Sequence, residues 1–183
     1  MSVAGTWGTT AAERATPFPN DVPDDERQIL WRGVDVAAPA PLVFRWLCQM
    51  RVAPYSYDWI DNGGRRSPQT LTPGLDALVV GQTFMIFELL AFEPGVSLTI
   101  ETPPGSRGER LFGRVSITYW ARAAGEDRTR LLAKLRVRPR AGLYGAFTRA
   151  LLPWGDLVMM RRQLLNFRRL AERDARIAAP RAR

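Results

Sequence analysis

The chain contains no histidine and only one cysteine, Cys48. The missing imidazole removes the usual general base near neutral pH, the Ser-His and Cys-His nucleophiles, and most transition-metal sites. Any acid–base chemistry must therefore use carboxylate, tyrosine or arginine side chains, and we expect no metal and no cofactor. A single cysteine cannot form an intrachain disulfide, and its place in an apolar helical pattern indicates a buried core residue.

Long apolar runs are also missing. The longest stretches, such as residues 84–92, are far shorter than the ~20 residues that a membrane-spanning helix needs. Residues 1–20 lack the basic start and apolar block of a secretory signal. The sequence therefore predicts a cytoplasmic protein without an integral membrane span.

Lysine occurs once, at Lys134, although the net charge is +8. Arginines carry the excess, and many of them lie in residues 161–183. We interpret this basic segment as a solvated helix face and predict no nucleic-acid partner, with weak contact to anionic membranes as the alternative.

Length and composition suit one domain. A chain of 183 residues with 46% hydrophobic content can build a single sizeable core. Residues 1–25 contain Gly, Thr, Pro and acidic residues without apolar periodicity, which predicts a poorly ordered arm. We place the domain at residues 26–178 and a basic tail at 179–183, and expect a monomer or homodimer.

The apolar periodicity changes along the chain. Residues 28–36 alternate as a strand, and Pro39 and Pro41 open a helix with apolar positions at helical spacing. Turn signals then separate four strands, and a long helix with a kink at Pro153 follows. The predicted elements are strands at 83–92, 97–101, 111–122 and 128–138, and a helix at 143–177.

Two strands and the long helix are each apolar on one side. In the strand at 111–122, Val115, Ile117 and Tyr119 share a face, with polar residues on the other. On a helical wheel, Met160, Leu164 and Phe167 fall on one arc and the arginines fall opposite. The helix is therefore expected to cover the apolar face of an antiparallel sheet.

Aromatic residues are crowded into residues 53–68, APYSYDWIDNGGRRSP. A plain connector does not need Tyr55, Tyr57 and Trp59 together, so we interpret the segment as the rim of a cavity. Asp58 and Asp61 could act as an acid–base pair or bind a cation, but ordinary caps and ion pairs are the preferred interpretation.

Two further polar residues interrupt apolar patterns. Gln163 falls within the apolar arc of the long helix, where an amide must find a backbone partner or anchor a ligand. Glu88 interrupts FMIFELLAF, so either its face meets water or its carboxylate stands inside the cavity with a raised pKa.

Three segments resemble the START/SRPBCC superfamily, which includes polyketide cyclases, aromatases and the birch-pollen-allergen-like proteins. They are VDVAAPAPLVFRWLCQM at 34–50, the aromatic segment at 53–68, and LLPWGDLVMMRRQLLNFRRLAER at 151–173. The resemblance, to a bacterial branch, implies an α+β helix-grip fold. In it, a curved antiparallel sheet wraps a long C-terminal helix around an apolar cavity, with two short helices after the first strand. It carries over no catalytic residue, because the superfamily has no universal one.

Two functions stay open. The first is binding of an apolar or aromatic small molecule, lipid-like or polyketide-like. The second is a cyclase or dehydratase-like enzyme that uses Glu88, Asp58 or Tyr57 as acid or base. Burial of Glu88 beside a polar neighbour would favour chemistry, and exposure would favour binding. The predicted ligand-binding residues are Tyr55, Tyr57, Trp59, Phe84, Glu88, Tyr119, Met160, Gln163, Leu164 and Phe167.

Overall fold

A computed structural model describes residues 2–19, 21, 28–138 and 142–179. The N-terminal part contains helices α1 (Val3–Thr6) and α2 (Ala11–Ala15). Strand β1 (Gln28–Val36) leads into helix α3 (Ala40–Cys48), a 3-10 turn (Gln49–Arg51) and helix α4 (Asp58–Asp61). The remaining elements are β2 (Thr83–Phe84), β3 (Phe87–Glu93), β4 (Ser97–Glu101), α5 (Arg107–Phe112), β5 (Arg114–Ala123), β6 (Thr129–Arg138) and α6 (Gly142–Ala178).

The six strands form one antiparallel sheet in the order β1-β6-β5-β4-β3-β2. Strands β5 and β6 pair over their full length, from Arg114 opposite Arg138 to Ala123 opposite Thr129. The first strand pairs with the last, with Gln28 opposite Val137. Strands β2 to β6 follow one another across the sheet, and their connections favour antiparallel pairing of neighbours. The chain runs from β1 at one edge of the sheet to β2 at the opposite edge through α3 and α4.

One face of the sheet and one side of α6 form the main core. Leu131, Ala133, Leu135 and Val137 of β6 are at most 2% exposed. Leu164, Phe167 and Leu170 of α6 are fully buried in the same cluster, together with Cys48. Burial raises the pKa of the Cys48 thiol to about 12, as expected for an inert core cysteine. The predicted fold class and the helix on the sheet are confirmed.

Helix α6 continues through Pro153 without interruption. Proline has no N–H to donate to the carbonyl four residues earlier, which belongs to Arg149. The side chain of Gln28 supplies that bond, with Nε2 3.2 Å from the Arg149 carbonyl oxygen. The cost of a proline inside the helix is thereby partly offset by the edge strand β1. Among the described residues, no helix is apolar over enough of its length to cross a bilayer.

Within the N-terminal arm, predicted to be poorly ordered over residues 1–25, the described residues form α1 and α2 and contact the sheet. Thr10 and Glu13 form a reciprocal capping box at the start of α2. Glu13 also bonds Arg130 of β6, with 2.7 Å between Oε1 and Nε. The backbone N–H of Gly33 donates to the carbonyl of Trp7, at 3.1 Å. Residues 1, 20 and 22–25 of this arm, and 180–183 of the predicted tail, lie outside the described residues.

The arm covers apolar side chains on the outer face of the sheet. Phe18 is 4% exposed and contacts Trp31 and Trp120 edge to face, with ring centroids 5.4 and 5.3 Å apart. Leu132 completes this small cluster. A Cβ on Gly8 would lie 2.1 Å from the carbonyl oxygen of Gly33, so the arm packs backbone to backbone there. The arm therefore excludes water from this patch of the outer face. Although the arm has no apolar periodicity, it packs there because Phe18 covers the apolar side chains of the sheet.

Two predicted strands differ in detail. Residues 111 and 112 belong to α5, because Ser106 caps a helix by accepting from the Glu109 N–H at 3.1 Å. The strand predicted at 83–92 is a hairpin, in which Phe84 pairs with Phe87 across Met85 and Ile86. Met85 has a φ of 57°, which is strained for a residue with a side chain. The hairpin brings both turn residues to the cavity described next.

Candidate ligand cavity

A cavity of about 650 Å³ lies between the sheet and α6. Most of its wall is aliphatic, aromatic or thioether, and the polar groups come mainly from α4 and the segment before it, from α6 and from Tyr119. The sheet and the β2–β3 hairpin supply Phe84, Met85, Ile86, Phe87, Ile100, Val115, Ile117, Tyr119, Leu135 and Val137, and α5 and its surroundings supply Thr102 and Phe112. The helical side supplies Met50, Pro54, Ser56, Ile60, Asp61, Leu152, Gly155, Asp156, Met159, Met160 and Gln163.

Three lining side chains are about half exposed and mark where the cavity meets the surface. They are Ile60 at 55%, Ile86 at 49% and Phe112 at 45% exposed. They come from three separate elements, α4, the β2–β3 hairpin and α5. The mouth is therefore apolar, and the strained turn at Met85 is part of it.

The aromatic segment reaches the cavity through different residues from those predicted. Tyr55 is 1% exposed and packs between Trp46 and Phe167, with ring centroids 6.0 and 5.3 Å away. Its φ is 58°, and its carbonyl accepts from Asn166 Nδ2 at 2.7 Å. Burial raises the pKa of Tyr55 to about 12. Tyr55 is a core residue rather than a lining one.

Tyr57 and Trp59, which the sequence predicts at the rim, are not among the residues that line the cavity. Trp59 is 75% exposed, and Tyr57 lies under the guanidinium of Arg162, 5.9 Å from its ring centroid. The left-handed backbone at Tyr55 and the start of α4 set which side chains turn inward. Pro54, Ser56, Ile60 and Asp61 line the cavity instead.

Two of the proposed catalytic carboxylates do not reach the cavity either. Asp58 closes its own loop by accepting from the N–H and the hydroxyl of Ser67, at 2.8 and 2.5 Å. Glu88 is exposed on β3, opposite Glu101 on one side and Thr83 on the other. The strand at Glu88 therefore turns its carboxylate to the solvent face.

Four of the predicted ligand-binding residues do line the cavity, namely Phe84, Tyr119, Met160 and Gln163. Leu164 and Phe167 are fully buried in the core beside it. The Gln163 amide has partners on both sides: Nε2 donates to the Pro54 carbonyl at 2.7 Å, and Oε1 accepts from the Tyr119 hydroxyl at 2.8 Å. The Tyr119 hydroxyl lies 3.5 Å from the Met160 sulfur. Burial raises the pKa of Tyr119, so it is a neutral donor.

An ion pair that was not predicted from the sequence lies beside the cavity. Arg32 of β1 is completely buried, and its Nη2 lies 2.6 Å from Oδ2 of Asp156 on α6. Arg32 also donates to the carbonyls of Trp31 at 2.8 Å and Pro153 at 3.3 Å. Burial raises the pKa of Asp156 to about 6, although Arg32 opposes this shift. Asp156 lines the cavity with 15% of its side chain exposed.

Asp61 is the second carboxylate in the wall. Its Oδ2 accepts a short hydrogen bond from the Ser56 hydroxyl, and its Oδ1 is buried without a partner. Burial raises its pKa, while the bond from Ser56 lowers it. The cavity thus presents two carboxyl groups in a largely apolar wall, and their ordinary pKa values are shifted upward.

A sequence signal for the Asp156 pair does exist. Arg32 stands between Leu30 and Val34 on the face of β1 that is otherwise apolar. An arginine on a buried strand face needs a carboxylate partner. Many of the other missed residues are apolar positions of the sheet and of the helical side. Periodicity assigns such positions to the inner face, but it does not separate the core from the cavity wall.

Solved structures with this arrangement share little sequence with the chain. A Chromobacterium violaceum protein aligns with a TM-score of 0.50 at 12% identity, over 79% of this chain and 96% of the other. A Thermobifida fusca protein also gives 0.50 at 12% identity, over 78% and 94%. A Streptomyces aromatase/cyclase gives 0.46 at 16% identity, over 81% and 93%. No protein-family model matches the chain, and no curated protein gives a significant match.

The similarity to these structures concerns the fold, since all the identities are low. The antiparallel sheet, the long closing helix and the short helices after the first strand agree with the expectation from the sequence segments. The chain therefore has a helix-grip fold, in which an antiparallel sheet packs against a long C-terminal helix.

Proposed function

We propose that this protein binds an apolar or aromatic small molecule in the cavity between the sheet and α6. The observation that carries the proposal is the cavity itself, with about 650 Å³ of space behind an apolar mouth. Ligand pockets in proteins typically have roughly 300–1,000 Å³, mostly apolar walls and a few placed polar groups. Exposure of Glu88 favours binding over chemistry at that residue.

Uptake of an apolar fluorescent probe tests this function. We expect one probe per chain, displaced by hydrophobic competitors, and native mass spectrometry of freshly purified protein should reveal a co-purified molecule of the same class. The exposed Trp59 provides a control, since Trp59→Ala should leave the affinity unchanged. Absence of saturable uptake by the folded protein would contradict the proposal.

The second candidate is a cyclase or dehydratase-like enzyme, and the carboxylates of the cavity favour it. Asp156 has a pKa of about 6, which suits proton transfer near neutrality. Asp61 also lines the cavity, whereas Glu88, Asp58 and Tyr57 do not. Incubation with an aromatic β-hydroxy ketone, with loss of water followed by mass spectrometry, tests this candidate. Turnover that survives replacement of both Asp61 and Asp156 would exclude the mechanism.

A further inference from the structure

Each side-chain hydroxyl of the described cavity wall, and one of the two N–H groups of the Gln163 amide, already donates a hydrogen bond within the protein. Ser56 donates to Asp61, Thr102 to the Gly113 carbonyl at 3.5 Å, Tyr119 to Gln163 at 2.8 Å, and Gln163 to the Pro54 carbonyl at 2.7 Å.

The acceptors of the wall are not all engaged. Asp156 receives Arg32 on Oδ2, and no hydrogen bond joins its Oδ1 to any described residue. Asp61 receives Ser56 on Oδ2, and its Oδ1 is buried without a partner. Asp61 Oδ1 is the buried one of the two, and a buried carboxylate oxygen without a donor is costly, so such groups normally have a partner. The wall therefore has free acceptors at two places.

We propose that the ligand is a hydrophobic molecule that carries hydroxyl or phenol groups, which donate to Asp156 and Asp61. A hydrogen bond from a hydroxyl to a carboxylate is short and about twice as strong as one between neutral groups. The assignment rests on the proposed binding function and specifies the ligand class for that same cavity. Ligands with a carboxylate head, such as fatty acids, should be rejected.

Charge supports the rejection of carboxylate ligands. Arg32 compensates Asp156, and among the described residues Asp61 has no salt bridge. A ligand carboxylate would face two carboxyl groups in a medium of low dielectric, where like charges repel strongly. Arg32 Nε is a buried donor without a partner, but Arg32 is not among the residues that line the cavity. Comparing the affinities of a probe that donates a hydrogen bond and a probe that carries a carboxylate shows whether the carboxylates or Arg32 bind the polar group of the ligand.

Three probes with the same alkyl chain separate the possibilities: para-octylphenol, its methyl ether and para-octylbenzoic acid. Their affinities are measured near neutral pH by calorimetry and by displacement of the fluorescent probe. The phenol is expected to bind about ten- to hundredfold more tightly than the ether, as for a hydrogen bond to a charged group. The benzoic acid is expected to bind most weakly.

Two variants remove one acceptor site each and leave no unpaired charge: Asp61→Leu, and the double variant Arg32→Met/Asp156→Leu. Each should reduce the preference for phenol over ether, while the control Trp59→Ala, at an exposed residue outside the cavity wall, should leave it unchanged. If one variant fails to fold, the other still tests the assignment. An undiminished preference in the folded variants would overturn the roles of these carboxylates.

Other outcomes separate this proposal from the proposed function. If the ether binds as tightly as the phenol, or the benzoic acid binds most tightly, the donor-ligand proposal is wrong while binding in the cavity stands. If none of the three probes binds and the fluorescent probe is not taken up, the binding function fails and the ligand class fails with it.

Discussion

Arg32 and Asp156 connect the first strand to the C-terminal helix through an ion pair whose carboxylate lines the cavity. The guanidinium is fully buried, and its Nη2 lies 2.6 Å from the carboxylate Oδ2. A buried ion pair commonly adds little net stability, because removing two charges from water is costly. Here Asp156 both pairs with Arg32 and lines the cavity, so the pair gives the cavity wall a fixed polar group.

Arg32→Met should lower the free energy of unfolding near neutral pH by about 3–5 kcal/mol, since it leaves Asp156 buried without its countercharge. The double variant Arg32→Met/Asp156→Leu should be close to the wild type, because both charges are then absent. Urea unfolding of the three proteins measures the difference. A double variant as unstable as the single one would show that the pair contributes to stability by itself.

The carboxyl of Asp156 should titrate near pH 6 instead of near its ordinary value of 3.8. Because the pKa is higher in the folded state, the unfolded chain loses the proton first as the pH rises. The free energy of unfolding should therefore fall between about pH 4 and pH 6, by up to about 3 kcal/mol relative to the Asp156→Asn variant. Carboxyl carbon chemical shifts and urea unfolding at several pH values measure both effects.

The sequence predicts the structure well where apolar residues repeat with the period of a strand or a helix, and poorly where they do not. Alternation in β6 and the wheel of α6 place Leu135 and Leu164 correctly, because burial of a regular element imposes its own period. Residues 53–61 have no such period. There the backbone angle at Tyr55 decides that Ser56 faces the cavity and Trp59 faces water, and aromatic content does not reveal that angle.

The N-terminal arm shows a second limit. Its residues lack periodicity because α1 and α2 are each only about one turn long, and their burial depends on a distant surface. The signal lies in the sheet instead, where Trp31, Trp120 and Leu132 occupy a face that alternation assigns to water. Those three residues need a cover, and Phe18 supplies it.

Glu13→Gln should weaken the attachment of the arm in a pH-dependent way. The bond from Arg130 lowers the pKa of Glu13 from 4.5 to about 2. A lowered folded-state pKa adds stability above pH 4.5, and this stability is lost as the pH falls toward 2. We expect the variant to be about 1–3 kcal/mol less stable near neutral pH. The difference should vanish near pH 2, and equal stabilities at neutral pH would contradict the prediction.

Phe18→Ala should destabilise the protein by about 2–4 kcal/mol, within the range for truncating a buried aromatic residue. The ring is 4% exposed and contacts two tryptophans, Trp31 and Trp120. The fluorescence of these tryptophans should shift toward that of solvent-exposed indole. Since the cluster lies on the outer face of the sheet, affinity for the apolar probe should stay unchanged. An unchanged tryptophan spectrum would show that the arm is not docked in solution.

Substitutions at Gly155 separate stability from ligand capacity. This glycine lies within α6 and lines the cavity, and an added Cβ would meet no atom within 4 Å. Gly155→Ala should raise the free energy of unfolding by roughly 0.5–1 kcal/mol through helix propensity, with probe affinity unchanged. Gly155→Trp should fill part of the space and weaken the probe at least about tenfold, or 1.4 kcal/mol. Thermal unfolding and probe titration measure the two effects. Full affinity in a folded Gly155→Trp variant would place the ligand elsewhere than between α6 and the sheet.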